Sequence, residues 1–143
     1  MNILKRILPD IIISKITDLD YHKLNELKKK YGIEGLILDV DETLRYNMNP
    51  ISPINKKWLE QTIKMLKIVV VSNGFDHTIK EVLDLYEIEY ISVAFKPLKK
   101  SFIKAKRILD IPSQKIMVVG DSYFDDILGG KLNNMVTALI KNW

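Results

Sequence analysis

The segment LILDVDETL, residues 36–44, places two aspartates and a glutamate directly after a run of aliphatic residues. The aliphatic run is typical of a strand that is buried on both faces, as parallel strands are. Asp39 and Asp41 are two residues apart, so in an extended chain both side chains leave the same face. The segment therefore predicts a core strand that delivers two carboxylates to one pocket.

Short apolar runs rich in β-branched residues alternate with helical patterns along the rest of the chain. Together with residues 35–40, the expected strands cover residues 67–73, 90–95, 115–120 and 135–140. The expected helices cover residues 52–66, 76–86, 99–109 and 124–134. Ser52 and Asp76 are the expected N-caps of the first two helices, with Pro53 at the first helical position. Five strands joined by four helices predict a Rossmann-like, doubly wound α/β fold with a five-stranded parallel sheet.

An extra helix is expected before the first strand. Residues 18–31 place four apolar side chains on roughly one helical face, namely Leu19, Leu24, Leu27 and Tyr31. Gly32 follows as a stop signal. A chain of 143 residues with 47% hydrophobic content is expected to form one domain, 1–143. We divide it into an N-terminal helical segment, residues 1–33, and a catalytic core, residues 34–143.

The composition narrows the class of protein. The sequence contains no cysteine, which excludes disulfides and thiolate metal sites and is compatible with a cytoplasmic location. No apolar run approaches the roughly 18 residues of a transmembrane helix, and the first residues lack a secretory cleavage pattern. The net charge of +4 permits attraction to anionic substrates or lipid headgroups, although lysine-rich surfaces also simply keep proteins soluble. We expect no nucleic-acid partner, and the sequence does not indicate an oligomeric state.

Polar side chains follow four of the predicted strands at their carboxyl ends, where ligands bind in sheets of this kind. Besides Asp39 and Asp41, the strands deliver Thr43, Ser72, Asn73, Lys96, Asp121 and either Asp125 or Asp126. Packed carboxylates repel one another unless some are protonated or a cation is bound. Mg²⁺ prefers oxygen ligands and shares one or two carboxylates with a substrate phosphate. The pattern therefore predicts a magnesium and phosphate site.

Phosphoryl transfer requires a positioned nucleophile, a positioned acid or base, and positive charge around the transferring group. Asp39 is the candidate nucleophile and would form an aspartyl-phosphate. Asp41 would protonate the leaving alkoxide and then activate the water that opens the intermediate. Ser72 would donate to a phosphate oxygen, and Lys96 would supply a compact positive charge. These roles predict a Mg²⁺-dependent phosphomonoesterase.

Four motifs carry a resemblance to a known family. DVDETL, VVVSNG, FKP and GDSYFDDILGG, in that order at successive strand ends, resemble the motifs of the haloacid dehalogenase superfamily of phosphohydrolases. The resemblance implies the same nucleophile and acid/base, with Ser72 and Lys96 as phosphate ligands. The metal ligands that it implies are Asp39, the carbonyl oxygen of Asp41, Asp121 and Asp126. It favours Asp126 over Asp125 because DDILGG is similar to the form TDILGG.

Substrate-covering caps are inserted at two places in this superfamily, and neither has room for one here. Residues 43–52 leave a short loop, and residues 72–96 hold no more than a helix and a strand. The capless subclass IIIA is therefore the best match. The YqeG-type branch is closer still, since ILPDIIISKITDLDYHKL precedes GIEGLILDVDETL, and this branch includes phosphatidylglycerophosphate phosphatases. An open site is expected to favour bulky or surface-presented phosphoesters.

Two features are compatible with an anionic lipid substrate at the inner face of the membrane. Residues 96–107, KPLKKSFIKAKR, contain six basic residues and no acid directly after the predicted active-site loop. Arg45 is a candidate contact for a second phosphate or a headgroup. The simpler interpretations are a solvated helix face and an exposed arginine. The alternative substrate is a soluble phosphate ester, such as a sugar phosphate or nucleotide.

A receiver-type signalling domain is the alternative from another class, because it also clusters aspartates, a hydroxyl residue and a Lys-Pro pair. The order of the motifs separates the two. Receivers carry the acidic pair on the first strand, the phosphoacceptor on the third and the lysine on the last. Here Lys96 precedes a second acidic cluster. The order therefore favours the phosphatase.

Overall fold

A six-stranded, entirely parallel sheet forms the centre of the computed structural model, which describes residues 3–141. The strands are β1 Ile11–Ile13, β2 Gly35–Leu38, β3 Lys67–Val71, β4 Glu89–Ile91, β5 Ile116–Gly120 and β6 Val136–Ile140. Their order across the sheet is β1-β6-β5-β2-β3-β4. The parallel α/β class is confirmed, and the five strands expected from the sequence are β2 to β6.

The sheet has six strands rather than five, and the additional strand is β1. It pairs with β6 in the register Ile11 to Ala138 and lies at the edge of the sheet. Asp10 fixes this pairing, since its carboxylate accepts from the backbone N–H of Thr137 at 2.9 Å. A run of three residues is too short to show a strand pattern. The N-terminal segment, expected to be helical, therefore also contributes a strand.

Helices cover both faces of the sheet. They are α1 Leu4–Ile7, α2 Tyr21–Tyr31, α3 Pro53–Thr62, α4 His77–Leu85, α5 Lys99–Leu109 and α6 Gly129–Leu132. Two 3₁₀ turns, Ile16–Asp18 and Ser113–Lys115, and a π-helix, Tyr123–Leu128, complete the elements of the described chain. The extra N-terminal helix is confirmed as α2. In place of the single helix expected over residues 124–134, the chain forms the π-helix followed by α6.

The predicted helix starts are confirmed by their caps. The Ser52 hydroxyl accepts from the backbone N–H of Asn55 at 3.2 Å, and Pro53 is the first residue of α3. The Asp76 carboxylate accepts from the N–H of Thr78 at 2.8 Å at the start of α4. Such caps satisfy backbone donors that have no partner inside the helix. Among the described helices, none is long and apolar enough to cross a bilayer.

Alternate residues of the central strand β2 enter two separate cores. Leu36 and Leu38 pack in the larger core, which α2, α3 and α4 cover. Ile37 packs in the smaller core under α5, around Phe102. Because both faces are covered, β2 is apolar without alternation, as the sequence indicated.

The connectivity places a ligand crevice beside β2. From β2 the chain proceeds to β3 and β4 on one side, and it then returns to form β5 on the other side. The strand order therefore reverses between β2 and β5. In open α/β sheets, ligands bind outside the carboxyl ends of the strands at such a switch point.

Candidate active site

Three carboxylates meet at the switch point. Each of Asp39, Asp121 and Asp126 offers one oxygen, and these oxygens lie within 4.8 Å of one another. Asp39 directly follows β2, and its backbone N–H donates to the carbonyl of Val119 in β5 at 3.0 Å. Asp121 directly follows β5. Residues 82 positions apart in sequence thus share one site because their parallel strands are neighbours.

Asp126 reaches the cluster because the chain makes room for it. A Cβ atom on Gly120 would lie 2.1 Å from the Asp126 Oδ2, so only glycine fits at the end of β5. The π-helix Tyr123–Leu128 turns Asp126 inward, where it is 1% exposed. The backbone N–H of Ser122 donates to its Oδ2 at 3.3 Å. π-Helical turns are frequent at functional sites.

Asp126, and not Asp125, belongs to the cluster within the described chain. Asp125 is half-buried, and its Oδ2 accepts from the side-chain amide of Asn73 at 3.3 Å. The same Asn73 accepts from the backbone N–H of Lys96 at 2.6 Å through its Oδ1. Asn73 therefore joins the loops that follow β3, β4 and β5.

Lys96 supplies the positive charge of the site. Its ammonium lies 3.0 Å from the Asp39 Oδ1 and 2.5 Å from the Asp126 Oδ1, and the residue is buried. Burial acts to lower the pKa of Lys96, but the carboxylates of Asp126 and Asp39 outweigh it and raise the pKa above its usual value. Lys96 is therefore protonated at neutral pH.

Burial and the proximity of other carboxylates raise the pKa values of Asp121 and Asp126. Partial burial of its carboxyl group and the neighbouring Asp39 raise the pKa of Asp121 to about 7. Deep burial and the charge of Asp39 also raise the pKa of Asp126. A divalent cation would relieve this repulsion. The donors are all oxygens in a compact set, which fits Mg²⁺.

Asp41 lies apart from the three clustered side chains. Its carboxylate is half-exposed and accepts from the Arg45 Nε at 2.9 Å. Arg45 is buried, and its Nη1 lies 2.5 Å from the Asp76 Oδ2. Only the carbonyl oxygen of Asp41 was assigned to the metal, so this side-chain position is compatible with that assignment.

The other predicted substrate residues lie below the surface. The Ser72 hydroxyl accepts from the backbone N–H of Gly74 at 3.2 Å and is buried. The Thr43 side chain is fully buried, and its hydroxyl makes no hydrogen bond with the described residues. Direct substrate contact by Thr43 and by the buried Arg45 therefore stays a prediction.

Sequence reasoning missed two residues that shape the site. Asp76 was expected only as a helix cap, yet it also anchors Arg45 from 31 positions away. Gly120 was not singled out, although its missing side chain admits Asp126. The glycine that opens GDSYFDD gives no local signal for this role, because the side chain that it accommodates belongs to Asp126, six residues later.

The site is open. The described chain places no separate domain over the carboxyl edge, and residues 43–52 form only a short connection from β2 to α3. A small cavity of about 310 Å³ adjoins Asp121, between Tyr46 and Ile140. The expectation of a capless site is confirmed.

The chain is similar to known proteins in sequence and in fold. Residues 16–133 match the family model described as haloacid dehalogenase-like hydrolase. The chain is 30% identical over 138 residues to the probable phosphatase YqeG of Bacillus subtilis (strain 168), with 95% of this chain and 78% of that protein covered.

Two solved structures share the fold. An uncharacterized protein from Listeria monocytogenes serotype 4b has a TM-score of 0.57 and 22% identity, over 73% of this chain and 76% of that one. A putative subfamily III A hydrolase of the same superfamily from Legionella pneumophila has a TM-score of 0.52 and 19% identity, over 68% of this chain and 60% of that one. The family match sets aside the receiver-type alternative. The chain therefore belongs to the haloacid dehalogenase-like hydrolases and, within them, to the YqeG-type branch.

Proposed function

We propose that this chain is a Mg²⁺-dependent phosphomonoester hydrolase that works through an aspartyl-phosphate at Asp39. The observation that carries the proposal is the meeting of Asp39, Asp121 and Asp126 at the carboxyl edge of the sheet, where Lys96 pairs with the first and the last of them. The three carboxylates would hold Mg²⁺ together with the carbonyl oxygen of Asp41. When bound, the ion supplies positive charge that stabilises the transferring phosphoryl group.

The residues divide the reaction into two steps. A carboxylate oxygen of Asp39 attacks phosphorus, the bond from phosphorus to the alcohol oxygen breaks, and Asp41 gives its proton to that oxygen. Asp41 then takes a proton from water as the water oxygen attacks phosphorus, which releases phosphate and restores Asp39. Lys96 offsets the negative charge of the nucleophile and phosphate. Ser72 and Asn73 are proposed as donors to phosphate oxygens.

Metal removal tests the proposal. Phosphate release from p-nitrophenyl phosphate is expected with Mg²⁺, should fall to background with EDTA, and should return when Mg²⁺ is added in excess. The EDTA complex of Mg²⁺ is the control for inhibition by the chelator itself. Full turnover in EDTA would contradict the metal assignment. Stable phosphorylation of the chain without turnover would contradict the hydrolase.

We further propose that the substrate is a phosphate ester presented at an anionic membrane surface, with phosphatidylglycerophosphate as the candidate. Five exposed apolar side chains support this proposal. We name them the apolar rim, and they are Phe75, Val93, Phe95, Leu98 and Phe124, exposed by 48–67%. All belong to segments that follow β3, β4 and β5, at the same edge as the carboxylates. Contiguous exposed apolar surface typically marks an interaction site.

The basic residues next to the apolar rim favour an anionic membrane surface over an uncharged apolar partner. Helix α5 begins directly after Leu98, and its first two residues are Lys99 and Lys100. All the charged residues of this helix are basic, so the surface next to the apolar rim matches anionic headgroups. A soluble phosphate ester would need neither feature. The proposed location is therefore the cytoplasmic face of a membrane, with peripheral attachment.

Paired variants at the two ends of α5 test this surface. Lys99→Glu/Lys100→Glu should weaken binding to vesicles that contain phosphatidylglycerol by about 30-fold or more, since each basic residue contributes about 1 kcal/mol. Lys106→Glu/Arg107→Glu is the matched control on the same helix, because it lies roughly 10 Å farther from the apolar rim. Sedimentation with vesicles measures the difference. If both pairs weaken vesicle binding equally, the net charge of the protein, and not the position of Lys99 and Lys100, would explain the binding.

The apolar rim has a matched control as well. In Phe95→Asn/Leu98→Ser, both new residues fit the local backbone. Asn tolerates the positive φ of 54° at position 95. Ser is favoured at position 98, which is the N-cap of α5. This pair should lower the ratio of vesicle to soluble turnover by roughly tenfold or more. Leu85→Ser is the control, because it changes a side chain that is 80% exposed at the last residue of α4. This variant should leave the ratio of vesicle to soluble turnover unchanged. Hydrolysis confined to soluble sugar phosphates or nucleotides would contradict the lipid substrate.

A further inference from the structure

Arg45 joins two loops of the site through its guanidinium. Its Nε donates to the Asp41 Oδ1 at 2.9 Å, and its Nη1 donates to the Asp76 Oδ2 at 2.5 Å. The side chain is 5% exposed, whereas that of Asp41 is 52% exposed. A planar guanidinium held by two carboxylates has a fixed orientation. The buried residue therefore holds an exposed one in place.

Asp76 is a rigid anchor for this bridge. Its other oxygen, Oδ1, accepts from both the backbone N–H and the hydroxyl of Thr78, at 2.8 and 2.7 Å. Hydrogen bonds from Thr78 and Arg45 hold the pKa of Asp76 well below its usual range. Asp76 is thus ionised at neutral pH and fixed to the first turn of α4. The bridge ties the loop after β2 to the start of that helix.

One of the two carboxylate oxygens of Asp41 is not engaged by Arg45. Arg45 engages only Oδ1, and Oδ2 accepts no hydrogen bond from the described residues. The guanidinium is 5% exposed and already donates to two carboxylates, so a phosphate from solvent has little access to it. A role through Asp41 therefore fits the contacts better than direct phosphate binding does.

We propose that Arg45 is a positioning residue that fixes the Asp41 carboxylate where it can pass a proton to the leaving alcohol. This inference rests on the proposed function, because Asp41 is assigned there as the acid and base. Arg45 itself exchanges no proton and forms no bond to the substrate. General acids contribute about 10²–10⁴-fold, and a misplacement of about 1 Å can cost about 10²-fold.

Leaving-group dependence separates positioning from folding. Arg45→Met should slow single-turnover phosphorylation of Asp39 by glycerol 3-phosphate by about 100-fold, because an alkoxide leaves poorly without a proton. The same variant should react nearly normally with 2,4-dinitrophenyl phosphate, whose leaving group needs no proton. Arg45→Lys, which keeps the charge but not the fork, should recover only part of the loss. An equal loss with both substrates, or a rise in KM alone, would overturn the inference.

A second variant keeps the test decisive if Arg45→Met does not fold. Asp76→Asn retains a good helix N-cap and removes only the charged anchor, so it should show the same selectivity in smaller degree. Unchanged selectivity in Asp76→Asn would also count against the bridge.

Asp41→Asn separates the proposed acid role of Asp41 from the proposed positioning role of Arg45. It should show the same preference for the activated substrate, and adding Arg45→Met to it should cost little more, because the two residues act as a unit. If Asp41→Asn lacks this preference, the proposed acid is wrong. If Asp41→Asn has it and Arg45→Met does not, only the positioning role is wrong.

Discussion

Asp39→Asn should abolish phosphate release and, in the absence of Mg²⁺, raise the melting temperature. The amide cannot serve as the nucleophile, so turnover of p-nitrophenyl phosphate should fall by at least about 10⁴-fold. The substitution also removes one carboxylate from a cluster of three, while Lys96 keeps its contact with Asp126. Less repulsion then stabilises the folded state.

The pH dependence of stability should change in the same variant. In the wild type the pKa of Asp121 is about 7, against an ordinary value of 3.8. Between these values the folded state binds more protons than the unfolded chain, so stability without metal falls as the pH rises from about 4 to about 7. Asp39→Asn should flatten this slope, because it removes the neighbouring charge that contributes to the raised pKa.

Activity assays with Mg²⁺ measure the loss of turnover, and thermal melts in EDTA at pH 5 and pH 8 measure the change in stability. Asp84→Asn, at an exposed position of α4, is the control for a generic change from acid to amide. Retention of turnover by Asp39→Asn would exclude the aspartyl-phosphate. A lower melting temperature at pH 8 would show that the pair with Lys96 outweighs the repulsion.

Lys96→Met should destabilise the fold by about 3–5 kcal/mol near pH 8, since breaking a buried ion pair leaves uncompensated charge. The methionine side chain retains most of the apolar stem, so the loss would come mainly from the missing ammonium beside Asp39 and Asp126. Phosphate turnover should fall as well, because the ammonium that contacts the nucleophile Asp39 would be missing.

The cost of Lys96→Met should shrink at pH 5, where the buried carboxyl groups can take up protons. Urea denaturation at the two pH values measures this difference. Lys104→Met, at an exposed position of α5, provides the matched control and should change stability little. Equal destabilisation at both pH values would indicate lost packing rather than lost charge.

Much of the fold could be predicted because its signals are local. The continuous apolar runs identified β2 to β6, and Ser52 and Asp76 marked helix starts through hydrogen bonds that span two or three residues. β1 escaped detection because it is only three residues long and its pairing with β6 joins residues about 127 positions apart. No local period could reveal such a contact.

In the candidate site, too, some features could be predicted from the sequence and others could not. Strand ends and the known rule for parallel sheets were enough to expect Asp39 and Asp121 at one edge, where they lie. The bridge from Arg45 to Asp76 was not foreseeable, because it depends on side-chain directions in two loops. The roles assigned to the residues of the site stay predictions until the variants are measured.

The strand β1 has a consequence for how the chain can be shortened. Its backbone covers one side of β6, so removal of the first 14 residues would leave the segment VTALI as an unprotected edge. Uncovered apolar edges are templates for pairing with other chains and hence for aggregation. β1 thus protects the edge of the sheet from pairing with other chains, although none of its three residues belongs to the carboxylate cluster.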